Sequence, residues 1–288
     1  LQPCLATSWQ ILDSGRVYQF QLKDSVRFHH SDNYLSADDV VFSLKRLKDT
    51  KTASPGSWVL NDVATDSIGE MSIVVLNGKL LEIRLKEANS SFLQKLAMPY
   101  CKIISKQAYL ANPKAFSRQP VGTGPFQFFY WEDRVKMVFH ANPNYHQQDE
   151  AKHPLPYLDA VAISFLKDDN SVFMSGLKGE FDLVSGLKGE FKDELVGKDL
   201  ILKPKYQKQF KLQSAPYLYT EYLGFNLNFE GRNPLLDNNM ARIALSKSIN
   251  REELIDKLRS GIGDANVNGF IPNVLLSKPQ FYQYEYNL

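Results

Sequence analysis

The stretch Pro120-Val121-Gly122-Thr123-Gly124-Pro125-Phe126 constrains this chain most, because the residues on either side of it carry different periods. Upstream the pattern is mixed, with helical repeats; downstream, residues 127–140 alternate polar and apolar side chains in the period of a strand. Two glycines one residue apart permit positive φ, while the flanking prolines fix φ at both ends, which makes a rigid bend. A phosphate cradle does not fit. The third glycine of a dinucleotide loop is missing, no Gly-Lys-Ser/Thr ending follows, and a strand stands where an anion site needs a helix N-terminus.

A length of 288 residues accommodates two domains or one large one, and 43% hydrophobic with 23% charged residues is ordinary for a globular protein. The 34 basic and 32 acidic residues are interspersed and leave a formal charge of +2, so no basic field points to nucleic acid. No apolar run reaches the ~20 residues of a membrane span and no leader opens the chain, so a mature or trimmed soluble product is expected. Cys4 and Cys101 are the only cysteines, without zinc-ligand spacing. They read as two buried thiols or as one disulfide, which would stabilise by about 4 to 5 kcal/mol in the chain-entropy account.

Strand periods are expected over residues 17–22, forming a hairpin with 26–29, then 71–76 and 80–85 around Asn77-Gly78-Lys79, 136–140 and 160–165. Further strands are expected over 181–184 and along the alternating run 218–228. Ser36 followed by Asp38 and Asp39 has the form of a helix N-cap, with Val40, Val41, Leu44 and Leu47 on one face. Helices are also expected over 92–98, after Ser105, and over 172–177, 240–249 and 252–258, with Asn250 capping the last and Gly261-Ile262-Gly263 ending it. Trp58 sits on the breaker loop 52–58. The heptapeptide 175–181, SGLKGEF, recurs unchanged at 185–191, too short a repeat for a solenoid; the second copy reads as a local duplication, one that could lengthen a loop, or as coincidence.

Catalytic patterns are weak. His29, His30, His140, His146 and His153 stand in no HExxH pair and beside no GxSxG elbow. Asp38 and Asp39 mimic a carboxylate pair, but adjacent helical positions point apart and the cap explains them. His29-His30 with Asp32 could seat a metal, or simply end a strand at a turn.

Taken in order, Leu5-Ala6-Thr7-Ser8-Trp9, Val26-Arg27-Phe28-His29, Leu35-Ser36-Ala37-Asp38-Asp39-Val40-Val41-Phe42-Ser43, Val121-Gly122-Thr123-Gly124-Pro125-Phe126, Asn142-Pro143-Asn144-Tyr145, Pro156-Tyr157-Leu158-Asp159 and Tyr222-Leu223-Gly224-Phe225-Asn226 form a collinear series. With it the chain resembles the bacterial extracellular solute-binding proteins, family 5, the oligopeptide-, dipeptide- and nickel-binding proteins of ABC transporters. Two departures are His29-His30-Ser31-Asp32, where the family commonly has His-Asp-Gly, and the repeated heptapeptide.

The resemblance implies a mixed α/β (α+β) fold of the periplasmic-binding-protein type II, two lobes with an extra subdomain in lobe one, and a chain that is a piece of a longer one lacking most of lobe two. Residues 1–120 would form the extra subdomain, 121–215 part of the lobe-one sheet, and 216–288 the hinge crossing and the start of lobe two. It implies no enzyme and no cofactor. The function expected is an extracytoplasmic component of an ABC importer, periplasmic or anchored through an N-terminus outside this sequence, that captures peptides as a monomer and delivers them to a membrane permease. Other outcomes are a non-peptide solute such as a nickel complex, haem or an oligosaccharide, a sensor or docking module, and a hydrolase. Trp58, Tyr219, Tyr222 and Asn226 are the expected ligand contacts, each with a structural alternative as surface anchor or core residue.

Overall fold

The computed structural model describes residues 1–186, 189–197, 201–215, 217–231, 233–259, 261–265, 270–275 and 286. The chain forms two compact units, Leu1–Phe165 and Leu166–Leu288. In the first, β1 (Ala6–Leu12), β2 (Val17–Leu22), β3 (Ile73–Asn77) and β4 (Leu80–Arg84) make an antiparallel sheet in the order β1-β2-β4-β3. The tight connection between β1 and β2 is Asp13-Ser14-Gly15, where all three residues have positive φ. That connection corrects the expected hairpin. β2 pairs with β1 and β4, not with residues 26–29, which make only a single bridge from Arg27 to Tyr34. The left-handed turn reverses the chain before β2 and so claims the edge that residues 26–29 would have needed.

Helix α1 (Ala37–Lys48) starts with a full capping box. Ser36 Oγ accepts from the Asp39 N–H, and Asp39 Oδ2 accepts from the Ser36 N–H at 3.0 Å. Val40, Leu44 and Leu47 lie on one face and are buried with Tyr18, Leu22, Val26, Phe28, Leu35, Leu81, Ile83 and Phe92 in a continuous core. Helices α2 (Phe92–Leu96) and α3 (Lys106–Ala111) follow, the latter capped by Ser105, whose Oγ accepts from the Ala108 N–H. Cys4 and Cys101 are not bonded to each other. Cys101 is half-buried, and burial pushes its thiol up to about 11.

Beyond the glycine-rich bend, β5 (Phe126–Glu132), β6 (Lys136–Ala141) and β7 (Ala160–Ser164) form an antiparallel meander. The alternating stretch 127–140 is thus two strands joined at a turn in which Arg134 takes positive φ. None of the strand residues of this sheet is buried.

The second unit holds α4 (Asp169–Leu177), α5 (Gly189–Leu195), α6 (Asn239–Lys247) and α7 (Arg251–Arg259). Among the described residues its core is small: Phe173, Leu195 and Val196, with Phe191 stacked on Phe173 at 4.9 Å. Asn250 caps α7 through the Glu253 N–H, and Gly261 at φ +76° follows its end. The two copies of SGLKGEF take different places: 175–177 close α4, whereas Ser185 and Gly186 lie in the connection, Gly189 opens α5 and Phe191 packs against the core. Leu187 and Lys188 lie outside the described residues.

Two expected strands are absent. Residues 181–184 and 218–228 form no ladder among the described residues. A strand exists only through a partner, and an alternating pattern without one leaves its side chains in water, as at Leu183 and Leu223. The expected boundary at Pro216 and most of 276–288 lie outside the described residues.

Candidate functional site

Trp58 stands on a short 3-10 turn, Ser57–Leu60, that ends the breaker loop. The two residues after it, Val59 and Leu60, are fully buried, so the turn is anchored while the indole stays 44% exposed. Backbone bonds hold the loop in shape: Ser57 N–H donates to Ser54 O at 3.1 Å, Val59 N–H to Gly56 O at 3.1 Å and Asn61 N–H to Trp58 O at 3.0 Å. Gly56, two residues before the indole, is itself buried, beneath the ring of Tyr100. Tyr100 comes from a separate turn, Pro99–Cys101, and remains 39% exposed.

Tyr219, Tyr222 and Asn226 belong to the second unit, on a stretch that has no strand partner among the described residues. Tyr219 and Tyr222 are 63% and 68% exposed. The Tyr222 ring meets Phe270 edge-on at 4.8 Å, and the Thr220 hydroxyl donates to the Phe270 carbonyl at 3.0 Å. Asn226 accepts from the Asn228 N–H through its side-chain oxygen at 3.2 Å, so it shapes its own turn. The tyrosines are therefore surface side chains and not core ones.

The histidines do something the sequence did not suggest. His29 is 6% exposed, and both of its ring nitrogens are taken by the glycine-rich bend: Nδ1 accepts from the Gly122 N–H at 3.3 Å and Nε2 donates to Gly124 O at 3.0 Å. Its own N–H donates to Gly122 O at 2.9 Å. Asn142 Nδ2 donates to the same Gly124 carbonyl at 2.9 Å. The neutral ring satisfies both bonds and a cation could not, while burial, and to a lesser degree neighbouring His30, holds the His29 pKa below its ordinary value against the opposing pull of Gly124 O. No lone pair is left for a metal. His30 Nε2 sits 3.0 Å from Phe128 O, and among the described residues no group of three His, Cys, Asp or Glu side chains is placed to hold an ion.

Asp39 is consumed by its cap and by the Lys106 N–H at 3.0 Å, while Asp38 is exposed, so the two carboxylates do not face each other as a pair. Among the described residues no helix is long and apolar enough to cross a membrane.

The family described as bacterial extracellular solute-binding proteins, family 5 (middle), matches residues 1–288. The chain belongs to this family. Among family 5 relatives, Di/tripeptide-binding protein 1 of Pseudomonas aeruginosa is 29% identical over 286 residues, covering 94% of this chain and 50% of its own. Heme-binding protein A of Haemophilus influenzae is 26% identical over 301 aligned positions, covering 100% and 52%. The periplasmic binding protein DppA of Helicobacter pylori, solved with a peptide STSA, superposes with a TM-score of 0.77 at 26% identity, over 99% of this chain and 55% of that one. The fold is thus the mixed α and β, type II periplasmic-binding-protein fold of family 5, and the chain spans about half the length of the relatives it matches. These relatives are named as binding proteins and not as enzymes.

Of two residues that matter to the loop geometry, the sequence marks Gly56 only as part of the breaker loop 52–58 and gives Tyr100 no role. No local pattern links them. Only the folded turn after α2 brings the ring onto the glycine.

Proposed function

We propose that this chain is part of the extracytoplasmic solute-binding component of an ABC importer, which captures a peptide between two lobes and releases it to a membrane permease without chemical change. The observation that carries the proposal is the stretch 217–231, without a strand partner among the described residues and exposing Tyr217, Tyr219, Tyr222, Leu223 and Phe229. Large apolar and aromatic side chains gathered in one exposed stretch are the kind that another surface or a ligand covers. Residues 1–120 serve as the extra subdomain of lobe one, 121–215 as part of its sheet, and 216–288 as the hinge crossing into lobe two.

In this reading Trp58, Tyr219, Tyr222 and Asn226 line the ligand. Flat aromatic walls exclude water, and polar groups meet the peptide main chain, so that side-chain identity matters little. Closure is a shift of population toward a closed state that the ligand prefers. The protein works as a monomer in the periplasm, tethered or free, with no nucleic acid and no cofactor. A non-peptide solute is the second reading, favoured by the haem-binding relative that matches the whole chain.

Native mass spectrometry of the natural full-length protein, mixed with alanine oligomers of two to five residues, tests this. Retention of an intact oligomer is expected. Shortened oligomers would make the protein a hydrolase, and retention of haem but of no peptide would select the second reading.

A further inference from the structure

We propose that Tyr100 is a second ligand-contacting ring beside Trp58, and that Gly56 is the residue that positions it. This rests on the peptide-binding reading above.

A Cβ built on Gly56 would lie 2.2 Å from Tyr100 Cγ and 2.4 Å from its Cβ. Real Cβ atoms do not approach so closely, and the atoms met belong to the root of the ring, where no rotamer gives way. The glycine is not required by the backbone: Gly56 has φ −89° and ψ 5°, which any L-residue can adopt. Its hydrogen is required by the ring. The missing side chain lets Tyr100 lie against the loop that carries Trp58.

The two rings share a second property. Neither the Trp58 indole N–H nor the Tyr100 hydroxyl has a hydrogen-bond partner among the described residues. Other exposed tyrosines of this unit are committed: Tyr130 to Glu132, Tyr157 to Asp149 at 2.6 Å, and Tyr34 accepting from Arg27 at 3.0 Å. Trp58 and Tyr100 therefore offer two rigid aromatic faces, each with an uncommitted donor, from two segments held around one glycine. Tryptophan and tyrosine supply large contact area with little rotamer entropy to lose. The ligand chemistry that uses both is a peptide, with carbonyl oxygens accepting from the N–H and O–H and side chains lying on the rings.

The test compares Trp58→Ala, Tyr100→Phe, Tyr100→Ala, Gly56→Ala and the double variant Gly56→Ala/Tyr100→Ala in the natural full-length protein, with the alanine oligomers as probe and thermal midpoints recorded alongside. Tyr100→Phe keeps the ring and is expected to weaken binding about threefold to tenfold with an unchanged midpoint. Gly56→Ala is expected to weaken it at least roughly tenfold, and the double variant to bind no worse than Tyr100→Ala alone, since a methyl group has no ring left to displace. If Trp58→Ala loses affinity while both Tyr100 variants bind as wild type, Tyr100 only packs and this inference falls with the peptide reading intact. A wild type that retains no oligomer removes both.

Discussion

The two sheets of the first unit invite comparison, since both are antiparallel and both alternate apolar side chains, yet one closes over a core and the other does not. In β1-β2-β4-β3 the inward positions Tyr18, Leu22, Leu81 and Ile83 meet Val40, Leu44 and Leu47 of α1, and each is at most 8% exposed. In β5-β6-β7 the residues Phe126, Phe128, Met137 and Phe139 carry as much apolar surface but stay half-exposed, and on the opposite face Phe129 stacks on His140 at 4.0 Å in the open. The difference is not in the strands. A helix with a matching stripe, α1, is inserted between β2 and β3 of the first sheet, whereas no helix lies between the strands of the second. Burial comes from the layer laid over a sheet, and the first 120 residues bring their own.

The comparison breaks most readily at its largest expected effect. Phe92, fully buried in the first core, should lose about 3–5 kcal/mol of stability as Phe92→Ala, whereas the half-exposed Phe128→Ala should lose roughly 1–2 kcal/mol. Urea titration of the 288-residue chain would measure both, and equal losses would show that the second sheet is sealed after all.

Next comes His29, which ties the first core region to the bend that leads into the second sheet. Because its folded pKa lies below the ordinary 6.5, the unfolded chain binds the proton more readily. The stability that the neutral ring contributes is therefore complete above pH 6.5 and is lost as the pH falls below it toward the depressed folded value. Denaturation midpoints should drop between pH 7.5 and 5.5. In His29→Gln, whose amide still reaches toward Gly124 O, the slope should shrink, leaving the part that comes from His146, also held below its ordinary value chiefly by burial. An unchanged slope would mean that the pin does not titrate.

Ser36→Ala removes one half of the α1 capping box and should cost about 1 kcal/mol, read as a shift in thermal midpoint. Smallest is Phe129→Ser on the open face of β5, expected within about 0.5 kcal/mol. A larger loss would reveal a layer over that face.

How much of this was legible follows physical lines. Elements set by contiguous residues could be read: the Ser36 cap, the turn at Asn77-Gly78, the Asn250 cap and the alternation in β4 and β7. Pairing could not, because β1 is chosen by a left-handed turn at Asp13-Ser14 and not by its own pattern. The repeated SGLKGEF makes the same point: one copy ends a helix with Gly179 at φ +75°, and in the other Gly189 begins one. In the candidate site, Trp58 was visible as an aromatic in a breaker loop, while the Gly56 contact with Tyr100 and the His29 contact with Gly122 join positions far apart in sequence. Residues 218–228 look like a strand by pattern, and only a partner could make them one.

Hydrogen exchange of the natural full-length protein, with and without the alanine oligomers, tests the central claim most directly. Capture without chemistry predicts slower exchange of residues 54–60 and of 217–231 in the presence of peptide, with the oligomers recovered at their original lengths. Unchanged exchange in both stretches, or oligomers recovered shortened, would contradict it.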